Sequence, residues 1–107
     1  MCGFAVYTGS DKEQKLQAAF EFGKVKYRGP DVTETEDFGE EGWMGFHRLK
    51  IMDTTDRGNQ PLVDENIHLI CNGEVYNYNE LYKQYEGKYV FRSDSDCEVI
   101  IPMVREH

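Results

Sequence analysis

Met1-Cys2-Gly3-Phe4-Ala5-Val6-Tyr7-Thr8 opens the chain, and how this stretch is read decides the fold. Gly3 to Thr8 is a β-branched and aromatic run, which predicts a strand at the terminus with Cys2 at its edge. Removal of Met1 gives Cys2 a free α-amine beside its thiol. Such an amine has a pKa of about 7.7–8.0, so it is partly neutral near pH 7 and can take the thiol proton directly or through water. One residue then supplies both nucleophile and base. With Met1 retained, that nitrogen is an amide and the base is lost. Gly3 has no side chain to keep a substrate carbonyl away from the sulfur.

Outward from this strand, Ser10 with Glu13 forms a capping-box pattern, and Leu16, Ala19 and Phe20 set a helical spacing that ends near Gly23. Arg28-Gly29-Pro30-Asp31 is a turn by composition, and the acidic, weakly patterned Val32 to Gly42 reads as a loop with at most a short strand. Trp43 to Leu49 predicts a strand in which Gly45 marks a close approach or a bulge. Asp53 to Pro61 reads as loop. Ile67 to Cys71 predicts a further strand ending in Asn72-Gly73, a dipeptide that favours positive φ and a tight turn. Two helices follow. Asn77 and Glu80 cap the first, with Tyr78, Leu81, Tyr82 and Tyr85 on one face; Ser95 and Glu98 cap the second, in which Pro102 should force a kink or a stop. The sequence stops mid-helix by pattern, at Arg105-Glu106-His107, which reads as a fragment.

The chain has 107 residues, enough for one small domain that buries only roughly 60–65% of its unfolded surface. A net charge of −8, from 20 acidic and 12 basic residues, argues against nucleic-acid binding. No apolar run approaches the ~20 residues that cross a bilayer. Three cysteines at irregular spacing, without a signal-peptide pattern, predict a cytoplasmic protein rather than a disulfide framework.

Several residues are candidates for chemistry. Asn72-Gly73-Glu74 can aim a side-chain amide and a backbone N–H at one point, as an oxyanion hole does, although turn formation alone also explains an Asn-Gly. Arg48 closes a strand with a fork of donors suited to a carboxylate, and a surface ion pair is the alternative. Asp96 stands in a first helical turn, where capping alone accounts for an acid. Cys71 and Cys97 read as core residues, and His47 and His68 as strand residues rather than a metal pair, so no metal is expected.

The ordered series Met1-Cys2-Gly3, Arg28-Gly29-Pro30-Asp31, His47-Arg48-Leu49-Lys50-Ile51-Met52-Asp53, Gln60-Pro61-Leu62, Asn72-Gly73-Glu74-Val75-Tyr76-Asn77 and Ser95-Asp96-Cys97-Glu98-Val99-Ile100 resembles the class II glutamine amidotransferase domain of glutamine-hydrolysing asparagine synthetases. The resemblance covers nearly the whole chain. It implies an α+β, N-terminal-nucleophile hydrolase fold, a four-layer α/β/β/α sandwich of antiparallel sheets that 1–107 forms incompletely. It implies that Cys2 attacks the side-chain amide of glutamine to form a thioester and release ammonia, with Asn72 and Gly73 N–H holding the oxyanion. Arg48, helped by backbone near Ile51 and Met52, would bind the α-carboxylate, and Glu74 and Asp96 the α-ammonium. An amino-acid substrate needs one cationic and at least one anionic anchor, so the two readings agree.

Glu74 and the His47-Arg48-Leu49 order are more similar to the asparagine-synthetase branch than to the sugar-phosphate and phosphoribosyl branches. The glutaminase part of a β-lactam synthetase and a truncated, non-catalytic glutamine-binding remnant are the alternatives. The resemblance implies no cofactor in this chain; ATP and Mg are expected in a synthetase domain, resembling ATP pyrophosphatases, that 1–107 does not contain and that would be its partner.

Overall fold

The computed structural model describes residues 2–51 and 53–107. The expectations placed on Met1 and Met52 lie outside the described residues. A three-stranded antiparallel sheet is built from β1 (Gly3–Thr8), β2 (Val32–Asp37) and β3 (Gly42–Arg48), in the order β1-β3-β2. A second sheet pairs β4 (Leu62–Asp64) with β5 (Ile67–Leu69), also antiparallel. Three helices accompany them: α1 (Lys12–Gly23), α2 (Tyr78–Tyr85) and α3 (Ile100–Glu106). The chain is thus α+β with antiparallel sheets.

The first strand is where the sequence predicts it. Its register sets Gly3 opposite His47, Ala5 opposite Gly45 and Tyr7 opposite Trp43, and strand alternation places these residues on one face and Phe46 and Arg48 on the other. Helix α1 covers the first face. The Phe22 ring stacks on His47 at 3.7 Å between centroids and meets Trp43 edge-on at 5.3 Å. Gly45 makes room for both, since a Cβ there would lie 2.7 Å from the Trp43 ring and 2.8 Å from Phe22. The close approach expected at Gly45 is therefore made by side chains. Both nitrogens of the buried His47 are occupied: Nε2 donates to Phe22 O at 2.9 Å, which leaves Nδ1 to accept from Thr33 Oγ1 at 2.7 Å.

Several local expectations are corrected. Asp11, not Ser10, caps α1, its Oδ1 accepting from Glu13 N at 2.9 Å and Gln14 N at 3.2 Å. Leu16 and Phe20 point to solvent, and Phe22 is the buried anchor. Val32–Asp37 is a full strand instead of a loop, because β3 supplies a ladder partner to every one of its residues. The strand predicted over Ile67 to Cys71 stops at Leu69 and pairs with Leu62–Asp64. Pro102 neither kinks nor stops its helix. A 3-10 turn over Asp96–Val99 carries the entry and the α-helix begins at Ile100, so Pro102 falls in the first turn, where an N–H has no helical partner to lose.

Buried carboxylates tie the irregular segments down. Glu98 Oε1 accepts from Ser93 N at 2.8 Å and Ser93 Oγ at 2.5 Å, and its Oε2 accepts from Arg92 N at 2.9 Å and Tyr89 Oη at 3.0 Å. Burial and the Glu98 charge push the Tyr89 phenol well above its ordinary range. The two sheets meet where His68 Nδ1 lies 2.6 Å from Glu36 Oε2 and the Phe38 ring stands edge-on to His68. On β1, Phe4 and Val6 stay 48% and 50% exposed. The radius of gyration, 14.5 Å, exceeds the about 13 Å of a closed domain of this length, so the chain is elongated.

Candidate active site

The end of β3 and the start of β1 define one wall of a cleft of about 180 Å³. That volume is below the roughly 300–1,000 Å³ of sites for drug-sized ligands, and suits a small metabolite. Cys2 lies beside Leu49, whose N–H donates to Sγ at 3.2 Å while the thiol reaches Leu49 O at 3.7 Å. Arg28 Nε holds the Cys2 carbonyl at 3.0 Å. The Arg28-Gly29-Pro30-Asp31 loop is not in the cleft lining; it braces the wall from behind. A Cβ at Gly29 would fall 2.2 Å from His47 O, so only glycine allows this approach. From there Asp31 N bonds Arg48 O at 3.0 Å, and Asp31 Oδ2 accepts from Lys50 N at 2.9 Å.

Arg48 is only 5% exposed, which rules out the surface ion pair. Its Nη1 donates to Thr55 O at 2.5 Å and to Asn59 Oδ1 at 2.7 Å. Nε and Nη2 make no hydrogen bond among the described residues, so part of the fork is open to a ligand. A Cβ on Gly58 would lie 2.4 Å from Nη2, so the loop over 53–60 passes too close for any side chain there.

Opposite this wall, Asn72, Gly73 and Glu74 line the cleft just beyond β5. Gly73 does not take positive φ, contrary to the expected tight turn. The chain bends there in an open conformation, and a Cβ on Gly73 would meet nothing within 4 Å. Asp96 closes the cleft from the 3-10 turn. Its Oδ2 accepts from Val75 N at 2.7 Å, which ties the acid to the Asn72-Gly73-Glu74 segment. Ile51 stands at the rim, largely exposed. Of the residues singled out from sequence, Cys2, Arg48, Ile51, Asn72, Gly73, Glu74 and Asp96 all line this one cleft.

Sequence reading missed Asp53 and Gln60, both buried in the cleft wall. Gln60 Oε1 accepts from Cys71 N at 2.7 Å and so anchors the chain entering Asn72. Asp53 Oδ1 accepts from Thr55 N at 2.8 Å and from Thr55 Oγ1, and its Oδ2 accepts from Asp94 N at 2.8 Å. It therefore joins the loop holding Arg48 to the segment that leads into Asp96. The signals for it were its place at the end of the His47-to-Asp53 motif and the Asp53-Thr54-Thr55 pattern, which favours this kind of side-chain turn. Cys71 and Cys97 also line the cleft. Cys97 is buried as expected, whereas Cys71 is half-buried.

The hydrogen bond from Asp94 N, followed by that from the Thr55 hydroxyl, holds the Asp53 carboxyl at about 2, below its ordinary 3.8. The charged form thus favours the fold. Its contribution is complete above the unfolded pKa and is lost as pH falls through the folded one. Asp53→Asn should cost about 1–3 kcal/mol at neutral pH, read from the urea midpoint. The gap to wild type should narrow as pH falls from about 4 towards 2, and a gap that does not change with pH would contradict this role.

Among the described residues, no helix is long and apolar enough to cross a membrane, and no group of three or more His, Cys, Asp or Glu could hold a metal ion.

Comparison with known proteins bears on the same residues. A family model described as a glutamine amidotransferase domain matches residues 1–107. The chain is 38% identical over 112 residues to a glutamine-hydrolysing asparagine synthetase of Sandersonia aurantiaca, covering 100% of this chain and 21% of that protein. It is 36% identical over 117 residues to asparagine synthetase 1 (glutamine-hydrolysing) of Bacillus subtilis, covering 100% of this chain and 18% of that protein. It is also 32% identical over 109 residues to the amidase chry2 of Gibberella zeae, covering 95% and 16%. The chain thus spans about a fifth of the length of these curated relatives. With the family matched from its first residue to its last, the chain belongs to the glutamine amidotransferase domain family.

Proposed function

We propose that this domain hydrolyses glutamine to glutamate and ammonia, and that the ammonia serves an ATP-dependent amidation of aspartate on a separate synthetase domain. The observation that carries this reading is the convergence in one cleft of a thiol, an open guanidinium fork, an Asn-Gly pair and two carboxylates drawn from distant segments. The names of the Sandersonia and Bacillus relatives support the asparagine-forming acceptor. The amidase relative keeps a different acceptor as the second reading.

In this mechanism Met1 is removed and the freed α-amine takes the Cys2 proton. The sulfur attacks the side-chain carbonyl carbon of glutamine, and the developing oxyanion is held by the Asn72 amide and Gly73 N–H. The proton is then delivered to the leaving nitrogen, so ammonia departs and a γ-glutamyl thioester remains. Water, activated by the same amine, attacks the thioester; glutamate leaves and the thiol is restored. Arg48, with backbone near Ile51, grips the α-carboxylate, and Glu74 and Asp96 hold the α-ammonium. Asp96 keeps one oxygen for this task, the other being engaged by Val75 N.

The same reading makes the fold part of a four-layer N-terminal-nucleophile sandwich. Half-exposed Phe4 and Val6 and the elongated shape support further strands packing over β1. The donor set here suits an amino acid, and no Gly-rich phosphate loop occurs in the sequence. ATP and Mg therefore belong, in this proposal, to the other domain, and no step in this chain is routed through them. The unpaired cysteines suit a reducing compartment such as the cytoplasm.

The test is an assay of glutamate and ammonia release from glutamine, with intact mass measured in parallel. Equimolar release from chain that has lost Met1 is the expected result. Glutamine binding without turnover in Met1-free chain would favour the non-catalytic remnant.

A further inference from the structure

We propose that Cys71 and Cys97 are a redox modification site, closing to a reversible intramolecular disulfide by exchange with a low-molecular-weight disulfide. The two sulfurs lie 3.0 Å apart although the residues come from different segments, the chain beyond β5 and the 3-10 turn before α3. Both belong to the cleft wall, and neither has a role in the hydrolysis described above. A disulfide needs about 2.05 Å between sulfurs, so closure requires a movement of about 1 Å.

Access assigns the order of events. Cys71 is half-buried and faces the cleft, whereas Cys97 is 2% exposed. Burial, and then the hydrogen bond with Cys71, push the Cys97 thiol well above the usual cysteine range. Cys71 is therefore the entering sulfur: it loses its proton to solvent, attacks one sulfur of the small disulfide and expels the first thiolate. Cys97 then gives up its proton, attacks Cys71 Sγ and expels the second thiolate. The protein loses two electrons and two protons, and the small disulfide becomes two thiols.

The position of this bond gives it a consequence, which rests on the glutaminase reading. Cys71 directly precedes Asn72, and Cys97 directly follows Asp96 and contacts Gly73 O at 3.6 Å. Closing the pair pulls the oxyanion bend against the ammonium-binding acid. Misplacement by about 1 Å costs on the order of 100-fold in rate at such a site.

The deciding experiment uses the full chain carrying Cys2→Ala, which removes the competing thiol. After exposure to oxidised glutathione, alkylation and proteolysis, the Cys71 and Cys97 peptides should be joined, lighter by two hydrogens than the sum of the free peptides, and released by dithiothreitol. In the same background, Cys97→Ser should leave glutathione on Cys71. Persistent glutathione on Cys71 with Cys97 alkylated, or both thiols alkylated, would overturn the proposal. Glutamine binding to the joined and reduced forms is a separate readout, with the joined form expected to bind more weakly. If both forms bind equally, the disulfide has no hold on the cleft; if the joined peptide forms but the reduced chain binds no glutamine, the glutaminase reading falls and the modification site stands.

Discussion

Cys2→Ala should lower glutamine hydrolysis by about 10,000-fold or more, to the detection limit of a glutamate-release assay. In the proposed mechanism the substitution removes the sulfur that forms the thioester. The fold should survive, since β1 is held by its backbone ladder to β3 from Gly3 to Thr8, and the Cys2 carbonyl contact with Arg28 needs no side chain. Circular dichroism and the urea midpoint should therefore match wild type to within about 1 kcal/mol. Chain with Met1 retained, identified by intact mass, should be comparably inactive because its base is an amide. Activity persisting in either form would sink the proposed chemistry, the first by removing the nucleophile and the second by removing the need for a free amine.

Arg48→Ala should raise the KM for glutamine by about 100-fold, with a much smaller fall in kcat. In the proposed mechanism its contact to the α-carboxylate is far from the reacting amide and is made equally in ground and transition states, so its loss should weaken binding without slowing the bound substrate. Truncating one partner of a buried charged pair costs about 2–5 kcal/mol, a range that brackets the about 2.7 kcal/mol of a 100-fold change in KM. The same substitution strips Thr55 O and Asn59 Oδ1 of their donor, so a loss of stability of about 1–3 kcal/mol should accompany it. The two effects separate by measurement: KM reports the ligand and the urea midpoint reports the loop. A collapse of kcat at unchanged KM would remove Arg48 from ligand binding and give it a role in the reaction.

Much of the site could be read from the chain because its residues recur in one ordered series of motifs. A cysteine at position 2, an arginine closing a strand and an Asn-Gly at a strand end are each weak signals alone, and their order along the chain made them legible together. The supporting shell could not be read in this way. Asp53 and Gln60 are ordinary loop residues by pattern, and their importance comes from backbone N–H groups of Asp94 and Cys71 that arrive from far along the sequence. Strand β2 was legible only as a short strand within a loop, for a related reason. Its sequence, Val-Thr-Glu-Thr-Glu-Asp, alternates weakly, and its strand state comes from the ladder offered by β3. The α1 cap shows how close the competition can be, as Asp11 and Ser10 are both good caps and packing of Phe22 on His47 selects the helix phase.

By itself, the sequence determined the family and the strand that opens the chain, and it singled out residues that converge in one cleft. Tertiary structure alone decided that Arg48 is buried with Nε and Nη2 unpaired among the described residues, that Gly73 bends without positive φ, and that Cys71 and Cys97 come into contact. The physical reason is range. Propensity, capping and turn chemistry act over a few neighbouring residues, whereas burial and convergence depend on ladder pairing and packing between segments whose separation along the chain carries no signal of their distance in space.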